Sequence, residues 1–195
     1  HMEAVDRAER LAREADGFVT FVELMETICE QLDGEDLQES YWRRLGRIEA
    51  EELDRVDDAI EHYRRVLERE ETDLEALEAL ADLYDRSEQY EVLVGTLDRI
   101  VEIRTERGDD RRDLVDTLSR IAEVEGEHLD DPEGAREAYD EILGIDPDCL
   151  SAIRGMKRLH ESAGEWRDVL DCLQRELGML GTDAEERRVA VADER

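Results

Sequence analysis

Apolar side chains return every three or four residues through most of the chain, the spacing that gives a helix one oily face. Leu74, Leu77, Leu80, Ala81 and Tyr84 make one such stripe, and Tyr90, Leu93, Val94, Leu97, Ile100 and Val101 make the next. No stretch alternates polar and apolar residues for long enough to suggest a strand. The stripes predict about eleven helices, near 3–15, 18–32, 37–53, 57–70, 73–86, 89–107, 111–129, 132–144, 148–162, 165–179 and from 183 onward. Turn residues fall between them. Asp33-Gly34, Gly108-Asp109-Asp110 and Ala163-Gly164 suit left-handed C-terminal caps. Asp131-Pro132 suits an N-cap with a first-turn proline, and Thr72-Asp73-Leu74-Glu75 and Thr182-Asp183-Ala184-Glu185 have capping-box spacing.

The stripes also repeat as units. DDAIEHYRRVL around Tyr63 returns as EGAREAYDEIL around Tyr139, and QYEVLVGTLDRI around Leu97 returns as EWRDVLDCLQRE around Leu173. Tyr63 to Leu97 and Tyr139 to Leu173 are both steps of 34, and the pair recurs after 76. Such periods belong to stacked helical hairpins, which bury their core between neighbours and expose an extended concave surface. A long coiled coil would need its heptads to run through Gly108, Pro132, Pro147 and Gly164, and they do not.

Trp42-Leu45-Gly46 leading to Ala59-Tyr63-Val66, and Leu118-Ile121-Ala122 leading to Ala135-Tyr139-Ile142 and Pro147, resemble the 34-residue motif of the tetratricopeptide repeat family. Leu77-Leu80-Ala81-Tyr84 with Leu93-Leu97-Ile100, and Ile153-Met156-Lys157-His160 with Val169-Leu173-Glu176, keep the register with altered residues. Leu93 and Val169 replace the family's usual small residue, which implies a slightly opened hairpin. At the start of the chain, Phe18, Phe21, Val22, Met25 and Ile28 correspond to Trp166, Val169, Leu170, Leu173 and Glu176. The resemblance implies an all-α fold, a right-handed α-solenoid of about five antiparallel helix hairpins in one domain over 1–195. Its hairpins would lie near 3–34, 36–71, 73–108, 110–146 and 148–180, with 182–195 opening a further helix. His1-Met2 looks like the remnant of an expression tag, and the sequence reads as a segment of a longer protein.

Charge narrows the partners. With 57 acidic and 26 basic residues the formal net charge is −31, which repels a phosphate backbone and an anionic membrane alike. Nucleic acid and membrane are therefore not expected partners. Lys157 is the only lysine and there is no asparagine; a basic partner, adaptation to salt and coding bias each account for that balance. Cys29, Cys149 and Cys172 form no CxxC pair, which favours reduced thiols and a cytoplasmic setting.

The residues of catalysis and cofactor binding are not arranged to work together. His62, His128 and His160 lie on separate helices without zinc-ligand spacing, and read as surface or boundary residues. Asp33-Gly34-Glu35-Asp36 and Asp130-Asp131 lack the twelve-residue calcium loop. Gly126, Gly134 and Gly144 are isolated, with no phosphate loop. Trp42 and Trp166 sit on apolar stripes and are expected to pack. The reading is a non-enzymatic protein with no cofactor or metal.

In proteins of the resembled family, the first helix of each hairpin lines the groove that holds a peptide or protein partner. The resemblance places Arg7, Arg10 and Arg13 there in the first hairpin, and Arg43, Arg44 and Arg47 in the second. The third would present Glu75, Glu78, Asp82 and Asp85, the fourth Arg120 and Glu123, and the fifth Arg154 and Arg158. The family's carboxylate clamp of lysines and asparagines is not reproduced. The competing assignment for these arginines is pairing along the helix, as in Glu39 with Arg43 and Arg47 with Glu51. The alternative function is a structural spacer or self-associating segment, with Val5, Ala8, Leu11 and Ala12 at one end and Val189 and Val191 at the other packing on neighbours, and association strengthening with salt.

Overall fold

A computed structural model describes residues 2–31 and 35–193, with side chains placed for 3–29, 31 and 37–179. Asp33-Gly34, the Glu35 and Asp36 side chains, Val189 and Val191 lie outside what is described. The described residues form ten helices and no strand: α1 (Met2–Ala15), α2 (Phe18–Gln31), α3 (Glu35–Glu51), α4 (Val56–Leu67), α5 (Leu74–Arg86), α6 (Tyr90–Arg107), α7 (Arg111–Glu127), α8 (Pro132–Ile145), α9 (Leu150–Ala163) and α10 (Trp166–Asp193). The separate helix expected from 182 is not formed, because α10 continues through it. Gly178, Gly181 and Thr182 are poor helix formers but not breakers, at about 1 kcal/mol for an interior glycine, and no proline interrupts them.

Contacts gather the chain into two compact units, His1–Thr96 and Leu97–Arg195. In the first, α1 packs on α2, α2 on α3, α3 on α4 and α4 on α5; in the second, α7 packs on α8, α8 on α9 and α9 on α10. Within each unit these helices thus pack against their sequence neighbours, the nearest-neighbour pattern of a repeat protein. The first core is built from Phe21, Val22, Met25, Leu45, Ile48, Tyr63, Val66, Leu77, Leu80 and Tyr84; the second from Leu118, Ile121, Ala135, Tyr139, Ile142, Ile153 and Met156.

The turns show the repeat in the backbone. Between α1 and α2, α3 and α4, α5 and α6, α7 and α8, and α9 and α10, one residue takes a left-handed conformation: Asp16 (φ 52°), Asp54 (53°), Glu88 (57°), Asp130 (52°) and Gly164 (74°). The amide that follows, or the next one but one from the helix, donates back to the last turn, as in Gln89 N to Tyr84 O (2.9 Å) and Glu165 N to His160 O (2.9 Å). Gly108 (φ 71°) supplies the same geometry after α6. Asp131 caps α8 through the Gly134 amide at 3.1 Å, with Pro132 in its first turn. The α5 cap is Asp73, whose side chain accepts from Ala76 N at 2.9 Å, one residue beyond the Thr72 that the capping-box spacing suggests.

Candidate functional site

Two cavities occupy equivalent places in the two units. The first, of about 280 Å³, is lined by Asp6, Ser40, Arg43, Arg44, Arg47, Tyr63 and Glu75. The second, of about 420 Å³, is lined by Ser119, Glu123, Tyr139, Ser151, Arg154, Lys157 and Arg158. Counting on by the 76-residue period takes Arg43 to Ser119, Arg47 to Glu123, Tyr63 to Tyr139 and Glu75 to Ser151. In both cavities a buried tyrosine forms the floor, on α4 in one and on α8 in the other. The charged walls differ. In the first cavity the arginines come from the earlier helix, α3; in the second the basic side chains come from the later one, α9.

In the first cavity the arginines are held by the protein itself. Arg43 reaches Glu39 (2.8 Å), Glu75 (3.1 Å) and the buried Asp73, to which its guanidinium makes a double contact. Arg44 binds Asp6 at 2.5 Å and also Glu9. Arg47 binds Glu9 at 3.0 Å and lies 3.9 Å from Glu51. Both intrahelical pairs suggested by the sequence are present, but contacts between helices dominate. Burial pushes the Asp73 and Glu9 carboxyls up, yet the hydrogen bonds from Arg43 to Asp73, and from Arg44 and Arg47 to Glu9, more than offset it and hold both below the usual range. The hydrogen bond to Asp73 likewise raises Arg43.

The second cavity is arranged differently. Arg154 (2.7 Å) and Lys157 (3.5 Å) both lean on Glu176 of α10, whose carboxyl they lower, Arg154 by the larger share. Arg158 and Glu123 are exposed and have no ion-pair partner among the described residues. A further hollow of about 260 Å³ continues past Tyr139, Glu123 and Arg158 to Gly155, Leu159 and Ala135. Gly155 is needed there: a Cβ on it would lie 2.2 Å from Tyr139 Cζ. Three hydroxyls, two cations on a shared carboxylate and one guanidinium without an ion-pair partner among the described residues therefore face one hollow, donors of the kind that suit a carboxylate.

The remaining groove candidates line neither cavity. Arg7 is exposed on α1, Arg10 donates to Asp6 O at 3.3 Å, and Arg13 pairs with Glu52 at 2.8 Å. Glu78, Asp82 and Asp85 are exposed on α5, and Arg120 is half-buried on α7.

The histidines correct the sequence reading. His62 and His160 are buried, and His128 is exposed. His62 stacks on Trp42 (5.2 Å between centroids), with Nδ1 2.5 Å from the buried Glu49 and Nε2 3.7 Å from Glu26. His160 Nδ1 lies 2.6 Å from Glu165, and Arg136 lies 3.2 Å from the same oxygen. Three groups bring potential metal ligands within 4.8 Å of one another: Glu26, Glu49 and His62; His160, Glu165 and Asp168; and Glu39, Glu70 and Asp73. In each, one ligand atom already serves a hydrogen bond or ion pair, to Glu49, to Glu165 or to Arg43. Trp42 is buried as expected, whereas Trp166 is exposed. Cys29 and Cys172 are buried, and burial pushes the Cys29 thiol up to about 11, which makes it a packing residue rather than a nucleophile.

The tetratricopeptide repeat family matches residues 76–111. That segment spans α5 and α6, the hairpin in which Leu93 replaces the small residue. Among curated proteins, none matches the sequence. Among solved structures, the chain is similar to MamA protein, with 16% identity, a TM-score of 0.62, and 94% of this chain and 92% of that one covered. It is also similar to a tetratricopeptide repeat protein from Parabacteroides merdae, with 15% identity, a TM-score of 0.61 and coverage of 91% and 66%. The assembly chaperone of RpL4 matches with 19% identity, a TM-score of 0.51 and coverage of 91% and 75%. Among the described residues no helix is long and apolar enough to cross a membrane. Residues 76–111 match the tetratricopeptide repeat family, and the chain has the fold of the tetratricopeptide repeat structures it resembles.

Proposed function

We propose that this chain is a non-enzymatic protein-interaction module that takes an acidic peptide segment of a partner protein in the α7–α9 cavity. One observation carries the reading: of two cavities set 76 residues apart, the first has its arginines closed by Asp6, Glu9, Asp73 and Glu75, while the second leaves Arg158 without an ion-pair partner among the described residues. A bound carboxylate would complete Arg158 and accept from Ser119, Ser151 or the Tyr139 hydroxyl, with Glu123 opposite to receive a basic residue beside it. Net charge sets the context. An acidic peptide approaches a chain of −31 against long-range repulsion, so recognition rests on the local basic wall and gains from screening of the rest. Three cysteines without a disulfide, two of them buried, fit a reducing, cytoplasmic location.

An array of short peptides of varied charge, probed with the parent protein and with Arg158→Glu, tests this. Acidic peptides retained by the parent and weakened at least about tenfold in the variant are expected, the loss of one charge-assisted pair. Equal retention by the two proteins would remove the cavity from the account.

A further inference from the structure

We infer that the hollow of about 260 Å³ beside the second cavity is a site for an arginine side chain of the bound partner. The inference deepens the peptide reading, and rests on it only in expecting this arginine and the acidic residue to lie in one segment. Gly126, Glu127 and Ser162 line the hollow and not the larger cavity, with which it shares Glu123, Tyr139 and Arg158.

The first unit shows what such a place holds. Counting back by 76 takes Gly126 to Ala50, Asp130 to Asp54 and Ser162 to Arg86. Arg86, the last residue of α5, donates to Ala50 O at 3.1 Å and to the Asp54 carboxylate at 2.8 Å. Its side chain therefore spans the ground between the counterparts of Ser162 and Gly126. The end of α3 explains why. The Glu52 and Leu53 amides both donate to Ile48 O, and the Arg55 amide to Glu49 O, so the turn passes over Ala50 O and leaves it to another donor. A cation in that position also meets the negative end of the helix dipole.

The end of α7 repeats this arrangement bond for bond. His128 and Leu129 donate to Val124 O, and Asp131 to Glu125 O, so the turn again passes over Gly126 O. Asp130 has a left-handed φ of 52°, against 53° at Asp54, which gives the two turns one backbone shape. Its exposed carboxylate makes no ion pair among the described residues. What the second unit lacks is the donor. Position 162 is a serine, whose hydroxyl turns back to Leu159 O at 2.7 Å. The acceptors that Arg86 serves in the first unit are thus kept in the second, beside an open hollow, and an arginine from outside the chain can serve them. Glu123 and Glu127 on the same hollow add negative charge. A carbonyl and a carboxylate side by side suit the planar fork of a guanidinium better than the point charge of an ammonium.

Amide NMR titration reads the site with N-acetyl-arginine amide as the probe, against the lysine and citrulline amides, in salt that screens the net charge of −31. Citrulline keeps the shape of arginine and loses its charge. The expected result is saturable shifts centred on Gly126, Asp130 and Ser162 with the arginine amide, several-fold weaker binding of the lysine amide and none of the citrulline amide. Ser162→Arg gives the second unit the plug that the first already has, and should abolish the response. Asp130→Asn should weaken it while keeping a residue that tolerates the left-handed turn. Circular dichroism checks that both variants stay folded. No shifts, shifts scattered over the acidic faces, equal binding of lysine and arginine amides, or an undiminished response in either variant would each overturn the inference. Arg158→Glu, which removes the carboxylate site, should leave the arginine amide bound, so the two readings fail in different variants.

Discussion

At the scale of single residues, four acidic side chains hold a backbone conformation that suits glycine. Asp16, Asp54, Glu88 and Asp130 all have φ near 52–57° in the turn within a hairpin, where the fifth hairpin has Gly164. Asp tolerates this region better than Glu, because its short side chain bonds locally. Glu88 is therefore the strained member, in the hairpin that matches the family. Replacing Glu88 with Gly should raise stability by about 1 kcal/mol, the left-handed penalty less the added chain entropy of glycine. Thermal unfolding checks it: a higher Tm is expected, and an unchanged or lower one would mean that the Glu88 side chain has a compensating role. These turns were only partly legible. Gly108 and Gly164 announced themselves, but an Asp or Glu in a charged stretch gives no sign of its φ. Asp131, followed by Pro132, did give its sign, and α8 begins there.

At the scale of helices, the stripes were legible and the polar contacts between them were not. Leu77, Leu80, Ala81 and Tyr84 are buried as their spacing required. His62 and Glu49 are 13 residues apart on α4 and α3, and only the packing of that hairpin brings them within 2.5 Å. The Arg43 contact with Asp73 spans 30 residues in the same way. Glu125 of α7 is a third case, set against the first turn of α8, where a Cβ on Gly134 would lie 2.6 Å from Glu125 Oε1. Its Oε2 is buried without a hydrogen-bond partner among the described residues. Burial, with Asp131, Asp98 and Glu137 nearby, pushes its pKa up to about 7. A carboxyl raised in the folded state favours the folded chain while it is protonated. That advantage is lost as pH rises from the ordinary 4.5 through about 7. Glu125→Gln should thus be more stable than the parent at pH 8, by about 1 kcal/mol once the water reaching this half-exposed side chain is allowed for. The difference should vanish near pH 4. Denaturant unfolding at both values checks it; a pH-independent difference would show that packing, not charge, governs the site.

For the molecule as a whole, the 76-residue period was readable from the first, and the structure repeats it as two cavities with a tyrosine floor. What the sequence did not disclose is that equivalent cavities are charged from opposite walls. Arg43, Arg44 and Arg47 put three basic residues within five positions, as Arg154, Lys157 and Arg158 do, yet Asp6, Glu9, Asp73 and Glu75 close the first set. In the proposed reading, Arg158 beside Lys157 and Arg154 is the cation of the second cavity that takes the ligand. The most direct test is an amide NMR titration of the chain with an acidic peptide selected from the array. The account predicts shifts centred on Ser119, Glu123, Tyr139, Ser151 and Arg158, with Arg43, Arg44 and Arg47 unmoved. Shifts centred on Arg43, Arg44 and Arg47 with the α7–α9 cavity silent would contradict it.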